Sequence, residues 1–175
     1  KTEIIPDYSN INIEDLIEKE DVVISLSKGG YVKRLPLKEY RSQRRGGKGS
    51  IGAKIKQEDV IDKITICSTH DDLLVLTTFG RCYGIKGYEV PEAGKTAQGR
   101  NMINVVPLMP SEKVCEIIPV NRNNEGYIVI GTEQGIIKKT KMEEYSRINK
   151  NGKIAIRLKE DDSVLCAHYL KGDED

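Results

Sequence analysis

A threefold internal repeat constrains the fold of this chain more than any other feature of its sequence. Each repeat opens with an apolar run and continues through a turn glycine. The runs and their glycines are residues 22–26 with Gly30, 73–77 with Gly80 and 127–131 with Gly135. Self-similarity with a period of about fifty residues is typical of arrays in which each unit buries its apolar face against its neighbours.

Four strands are predicted in each repeat, because β-branched residues are frequent and turn signals are closely spaced. After the opening runs, the second strands are predicted at 31–35, 81–85 and 136–140, the third at 50–55, 101–106 and 153–158, and the fourth at 60–67, 114–120 and 164–170. The sequence therefore predicts an all-β, propeller-like array of three four-stranded blades at about 21–72, 73–126 and 127–175. Three blades leave open edges, so we expect part of a larger ring or self-association through those edges.

The N-terminal segment, residues 1–20, has a different pattern. Asn12 can cap a short helix whose first turn is acidic. Ile13, Leu16 and Ile17 would then form one apolar face, which we expect to dock on the first sheet.

Charge is unevenly distributed along a chain whose formal net charge is only +1. Residues 21–57 carry ten lysines or arginines against two acids, and residues 138–157 carry seven against two. Residues 1–20 and 158–175 are acidic instead. Local basic fields of this kind indicate an anionic partner, which the average charge conceals.

The densest basic segment is the box Gln43, Arg44, Arg45, Gly46, Gly47, Lys48 and Gly49. Glycine lets a backbone turn sharply and approach another surface, and the cations supply charge for a polyanion such as a nucleic-acid backbone. The box is not a nucleotide-binding P-loop, because Ser42 stands where the first glycine is required and Gly49 follows Lys48. The alternative interpretation is a solvated flexible turn.

Other classes of site find little support in the sequence. Cys67, Cys82, Cys115 and Cys166 lack metal-ligand spacing, and we expect buried free thiols; His168, two residues after Cys166, is expected in the core. We find no catalytic constellation and expect no metal or cofactor. The sequence shows no transmembrane run and no signal peptide, so no membrane partner is expected.

Several segments together resemble a known family. They are the box, residues 13–17 before the first strand, residues 30–34 and residues 99–108. In these segments the chain resembles the C-terminal DNA-wrapping domain of the bacterial DNA gyrase A protein, with Lys48 where the box commonly has arginine. The resemblance implies a β-pinwheel, a propeller-like ring of usually about six blades that exchange strands with their neighbours. It also implies a cytoplasmic, ATP-dependent type II topoisomerase that introduces negative supercoils, whose partners are duplex DNA, the rest of the gyrase A protein, and the gyrase B protein.

Cations outside the box recur on the second strands and in the loops after them, and these rim residues are the further candidates for DNA binding. They are Lys33, Arg34, Lys38, Arg41, Arg81, Lys86, Lys95, Arg100, Lys138, Lys139, Lys141, Arg147, Lys150 and Lys153. Two alternatives remain open at this point: the topoisomerase IV counterpart, whose boxes tend to be degenerate, and a protein-interaction propeller that binds an acidic partner. The acidic tail at 172–175 could itself compete with DNA.

Overall fold

The computed structural model describes residues 12–45, 60–120 and 125–172, with residues 43–45 described by their backbone only. These residues form three antiparallel sheets, which confirms the all-β, propeller-like prediction. No helix within the described ranges is long and apolar enough to cross a bilayer.

The first sheet contains four strands in an order that differs from their order along the chain. β3 (Ile61–Ser68) lies at one edge, followed by β1 (Asp21–Ser27), β2 (Tyr31–Pro36) and β6 (Arg100–Asn101). The first three strands come from the first repeat, whereas β6 comes from the second. The sheet is therefore completed by a neighbouring repeat.

The second sheet is built in the same way. Its order is β7 (Val114–Pro119), β4 (Asp72–Thr77), β5 (Arg81–Lys86) and β10 (Lys153–Ile154). β10 belongs to the third repeat, so each of these two sheets receives its last strand from the repeat that follows.

The third sheet has three strands within the described residues: β11 (Val164–Leu170), β8 (Tyr127–Thr132) and β9 (Ile137–Lys141). β9 occupies the position at which β2 and β5 accept an exchanged strand. The strand exchange that the resemblance implied is thus present at both junctions between sheets.

A glycine with positive φ precedes each exchanged strand. Gly99 has φ 86° and Gly152 has φ 77°, a region that L side chains rarely adopt. A Cβ on Gly99 would lie 2.4 Å from the Val32 carbonyl oxygen, and one on Gly152 would lie 2.7 Å from the Tyr83 ring. Glycine at these positions therefore allows the incoming chain to lie against the preceding sheet.

The core consists of two apolar layers, one between each pair of neighbouring sheets. Val75 of β4 packs with Ile24 toward the first sheet, and Leu74, one residue earlier, packs with Ile130 toward the third. Since successive residues of a strand face opposite sides, a strand between two layers must be apolar throughout. This explains the continuous apolar run of β4, whereas β8 alternates because its Ile128 and Ile130 are buried and its other face is not covered within the described residues.

The short N-terminal helix capped by Asn12 is present as predicted, but its predicted docking on the first sheet was wrong. Residues Ile13–Leu16 form a 3-10 helix with an acidic first turn, in which the Asn12 side chain accepts a hydrogen bond from the Glu14 amide. Ile13 and Leu16 are 66% and 75% exposed, so they do not dock on the first sheet. The segment is instead held by a 2.8 Å hydrogen bond between the Ile17 carbonyl and the His70 ring, in the turn that joins β3 to β4, and by an ion pair between Glu14 and Lys86 of the second sheet.

Two strand and loop predictions also need correction. The third strands are two residues long in the second and third repeats, and the second repeat turns directly into a 3-10 helix at Met102–Asn104. The equivalent segment of the first repeat, 50–55, lies outside the described residues. The polar loop expected after the first repeat's second strand begins as an α-helix, α1 (Leu37–Arg45).

The cysteine prediction holds in part. All four thiols are free, and Cys67 and Cys82 are buried, so that burial raises their pKa values to about 12 and about 11. Cys166 and His168 are exposed, contrary to the core position expected for them. Both lie on the face of the third sheet that no other described element covers.

Candidate nucleic-acid interface

Each sheet has an inner edge and an outer edge. The fourth strands β3, β7 and β11 contact one another in succession: the Thr65 hydroxyl donates to the Ile117 carbonyl at 3.1 Å, and the Cys115 thiol donates to the Val164 carbonyl at 3.4 Å. These strands form the inner edges. The second strands β2, β5 and β9, with the exchanged strands, therefore form the outer edges, and the rim residues lie on them or in the segments that follow.

In the first blade the outer edge continues into α1. The helix begins directly after Pro36, contains no glycine or β-branched residue, and is described as far as Arg45. Leu37 and Tyr40 are half-buried at helical spacing, whereas Lys38 and Arg41 are exposed. The absence of a helix breaker between Pro36 and Gly46 is the sequence signal that would have predicted this helix.

The box is divided by the end of α1. The backbone of Gln43, Arg44 and Arg45 forms the last turn of the helix, and nothing is described of their side chains. Gly46, Gly47, Lys48 and Gly49 lie outside the described residues. The DNA-binding role of the box stays a prediction.

Two rim cations of β2 are engaged with the second repeat. The Lys33 ammonium donates to the carbonyls of Gly94, Lys95 and Ala97 at 3.2, 3.0 and 2.9 Å. Arg34 Nε donates to the Val90 carbonyl at 2.9 Å. These side chains secure a neighbouring loop, a contact that sequence reasoning did not anticipate because the partners are more than fifty residues away.

Six of the rim cations in the other two blades also make intramolecular contacts. Each of the six bonds a carbonyl, a carboxylate or an aromatic ring of the protein itself. The pairs are Arg81 with the Asn151 carbonyl, Lys86 with Glu14 and Asp72, Lys138 with the Ala155 carbonyl, Lys139 with the Tyr127 ring, Lys150 with Glu89, and Lys153 with the Glu144 carbonyl and Tyr145 ring.

Six rim cations differ from these. Their side chains are exposed and make no hydrogen bond, ion pair or ring contact with another residue in the described part of the chain. They are Lys38 and Arg41 after β2, Lys95 and Arg100 after β5, and Lys141 and Arg147 at and after the end of β9. Among the described residues, each repeat therefore contributes two uncommitted cations, and the two from the second repeat lie at the outer edge of the first sheet.

The electrostatics of two engaged lysines reflect their different partners. Burial lowers the pKa of Lys33, whose partners are neutral carbonyls. The pKa of Lys86 is raised, chiefly by its hydrogen bond to Asp72 at 2.7 Å and further by Glu14. Lys86 thus helps to attach the N-terminal segment to the second sheet. Within the described residues, no group of three or more potential metal ligands occurs.

A family model for the DNA gyrase C-terminal domain, a β-propeller, matches residues 21–68, 71–107 and 126–165. The chain belongs to this family. The three matched segments follow the three repeats, and the first of them includes β2, α1 and the box.

Longer relatives of this gyrase C-terminal domain are similar along its whole length. The DNA gyrase A proteins of Escherichia coli K12 and of Clostridium acetobutylicum are each 43% identical over 176 aligned residues. The alignments cover 100% of this chain but only 20% and 21% of those proteins. The chain thus spans about a fifth of the length of the gyrase A proteins it matches.

Solved structures agree with the family assignment. The gyrase C-terminal domain described here matches a structure of a DNA gyrase A C-terminal domain with a TM-score of 0.63 and 29% identity, over 89% of this chain and 50% of the other. A topoisomerase IV C-terminal domain gives a TM-score of 0.72 and 28% identity, over 89% and 47%. Both domains share the β-pinwheel fold, so the structures support the architecture seen here.

Proposed function

We propose that this gyrase C-terminal domain binds duplex DNA without reading its sequence and bends it along the outer edges of its sheets. The observation that carries the proposal is the recurrence, among the described residues, of two exposed, uncommitted cations in each of the three repeats, on or after its second strand. Lysine and arginine on a common edge neutralise phosphates and provide affinity that does not depend on the base sequence.

Bending has a cost that the phosphate contacts must offset. Bending a short duplex by 40–90° costs on the order of 1–6 kcal/mol by elastic estimates. A curved series of cations reduces that cost per contact, because each blade holds the duplex over a short arc. A dense cluster at one end would help to start the bend, and we assign that role to Arg44, Arg45 and Lys48 of the box.

The parent protein would use this bending in supercoiling. We propose that the domain supports the introduction of negative supercoils by an ATP-dependent type II topoisomerase of the gyrase class, in the bacterial cytoplasm. Its partners would be duplex DNA, the remaining four-fifths of the gyrase A protein, and the gyrase B protein. Strand breakage and ATP hydrolysis would then be carried out by those other parts, and this segment would shape the DNA.

The test is a gel-shift titration with short and long duplexes at several salt concentrations. If about six phosphates are neutralised, the logarithm of the affinity should fall with the logarithm of salt with a slope near −5. Three double variants each remove one blade's uncommitted pair: Lys38→Ala with Arg41→Ala, Lys95→Ala with Arg100→Ala, and Lys141→Ala with Arg147→Ala. Each should reduce the steepness by about 2.

The matched control is Lys113→Ala with Lys159→Ala, which removes the same charge from exposed positions before the inner-edge strands β7 and β11. It should leave the slope unchanged. Equal weakening by the control would show that net charge, and not the outer edge, determines binding. Binding of the wild-type chain that is weak and does not depend on duplex length would favour a protein-docking propeller instead.

A separate prediction concerns the box. In the assembled enzyme, replacing Arg44, Arg45 and Lys48 together by alanine should abolish supercoiling and retain relaxation.

A further inference from the structure

The loop at residues 90–99 of the second repeat passes around the outer edge of β2 and is held on both sides of the first sheet. Along the edge, the Arg34 amide donates to the Pro91 carbonyl at 2.9 Å, and the Ala93 amide donates to the Arg34 carbonyl at 3.2 Å. The Arg34 side chain holds the start of the loop. Lys33, the preceding residue and hence on the opposite face, holds its far end.

The contact made by Lys33 uses the full capacity of its ammonium group. A lysine ammonium has three N–H donors, and the three carbonyls at 94, 95 and 97 provide three acceptors within 3.2 Å. The same ammonium is partly removed from solvent. A group in this state has no donor left for a phosphate oxygen without giving up a bond to the loop.

The loop that Lys33 grips carries cations of the proposed DNA path. Lys95 lies within the turn whose carbonyls accept hydrogen bonds from Lys33. Arg100 is the first residue of β6 and pairs with Val32 of β2. The other end of β2 continues into α1 with its exposed Lys38. The contact of Lys33 therefore fixes the second blade's cations relative to those of the first.

Positions equivalent to Lys33 in the other repeats do not repeat this contact. The residue three after each turn glycine is Lys33, Tyr83 or Lys138. Tyr83 is buried in the apolar layer, and Lys138 donates to the Ala155 carbonyl alone at 3.0 Å. The three-carbonyl contact is thus a feature of the first junction among the described residues.

We propose that Lys33 is a positioning residue, which holds the loop carrying Lys95 beside the first blade and does not itself bind a phosphate. The part of this proposal that concerns DNA rests on the proposed function above. The part that concerns the loop stands on the three hydrogen bonds and can be tested without DNA.

The first test is amide hydrogen exchange, measured by NMR on the free chain. The amides of Ala93 and Ala97 report on the loop, because they donate to the Arg34 and Gly94 carbonyls. Lys33→Met should raise their exchange rates by about tenfold, since charge-assisted hydrogen bonds hold the turn. Lys38→Met is the matched control, because it removes the same charge from an exposed side chain with no such contact; it should leave both rates unchanged. Unchanged rates in Lys33→Met would overturn the proposal.

The second test is a double-variant cycle for DNA affinity with Lys33→Met and Lys95→Ala. If Lys33 acts through the loop, the double variant should bind within about twofold of the weaker single variant. Additive losses would show that Lys33 contacts phosphate itself, and would overturn the proposal. Lys33→Arg should restore part of the affinity, because its guanidinium also offers several donors to carbonyls. If the wild-type chain failed to bind DNA, the proposed function would be wrong, while the exchange experiment would still decide the role of Lys33.

Discussion

Between the first and second sheets, the exchanged segment is held by backbone pairing with β2 and also by long cationic side chains of that strand, whereas between the second and third sheets it lies directly against a glycine of β5. Arg34 and Gly84 occupy equivalent positions, each four residues after the turn glycine. Arg34 donates from its side chain to the Val90 carbonyl, and the Gly84 amide donates to the Asn149 carbonyl at 3.3 Å.

The difference shows that the same strand exchange can be stabilised by two kinds of contact. A Cβ on Gly84 would lie only 2.2 Å from the Ile148 carbonyl oxygen, so the incoming loop approaches as closely as a bare backbone permits. At the first junction the incoming loop also pairs with the β2 backbone at Arg34, and the Lys33 and Arg34 side chains add hydrogen bonds to its carbonyls. We therefore expect that adding a side chain at Gly84 strongly lowers the free energy of unfolding. Removing the Arg34 side chain at the first junction should lower it less, because the backbone bonds remain.

The largest effect is expected for Gly84→Ala. The added methyl group meets backbone atoms of Ile148, which cannot rotate away, so we expect a loss of about 3 kcal/mol or more in the free energy of unfolding. Because units in an array are stabilised by their neighbours, the third sheet should also unfold separately, giving two transitions in urea followed by circular dichroism.

Gly94→Ala is the matched control for this substitution. No atom lies within 4 Å of a Cβ built on Gly94, and its φ lies outside the positive range, so its unfolding curve should overlay that of the wild type. A single transition with wild-type midpoint in Gly84→Ala would contradict the close-packed description of the second junction.

An intermediate effect is expected for Arg34→Ala. The substitution removes one charge-assisted hydrogen bond to the Val90 carbonyl and leaves the backbone contacts of β2 in place, so we expect a loss of about 1–2 kcal/mol in the free energy of unfolding. Lys38→Ala, at an exposed position on α1, should change it by less than about 0.5 kcal/mol. Equal curves for the two variants would show that the side chain of Arg34 does not close the first junction.

The smallest effect is expected for Tyr83→Phe. The Tyr83 ring lies in the apolar layer between the first and second sheets and also beside Gly152 of the second junction. The Tyr83 hydroxyl donates to the buried Glu112 carboxylate at 3.1 Å, and its ring lies where Gly152 enters the second junction. Glu112 keeps its bonds from the Thr77 hydroxyl and the Met109 amide, so the loss should be about 1 kcal/mol.

The titration of this tyrosine gives an independent check. Burial, and then the neighbouring Glu112, raise the pKa of Tyr83. Burial also raises the pKa of Tyr145, so in the folded protein two tyrosines should remain protonated at a pH where exposed tyrosines have ionised, as measured by ultraviolet absorbance, and Tyr83→Phe should remove one of them. The neutral phenol contributes stability below the ordinary tyrosine pKa, and that contribution is lost as pH rises through the raised value. A titration curve unaffected by the substitution would mean that Tyr83 is not one of the protected groups.

Several sequence predictions failed for physical reasons that particular residues make clear. Ile13, Leu16 and Ile17 have the spacing of an apolar helical face, but this short segment is held by polar bonds to Thr69, His70 and Lys86, so its periodicity does not report packing. The third strands were predicted to be six residues long, yet each described one pairs over two residues, because pairing depends on how far the neighbouring sheet's edge extends.

The amino-acid sequence by itself determined the properties that depend on neighbouring residues. It specified three repeats, hairpins that turn at Gly30, Gly80 and Gly135 with positive φ, and apolar runs for the first strands. These follow from local backbone freedom and from the alternation of side chains along a strand.

Only the tertiary structure decided which sheet each exchanged strand joins and which cations remain available to a ligand. The sequence alone does not distinguish the roles of Lys33 and Lys38, because both are lysines of the same basic segment. The fold brings three carbonyls from more than sixty residues away onto Lys33 and leaves Lys38 exposed. Whether a charge is used inside the protein or offered to a partner depends on contacts between distant segments, and no local pattern contains them.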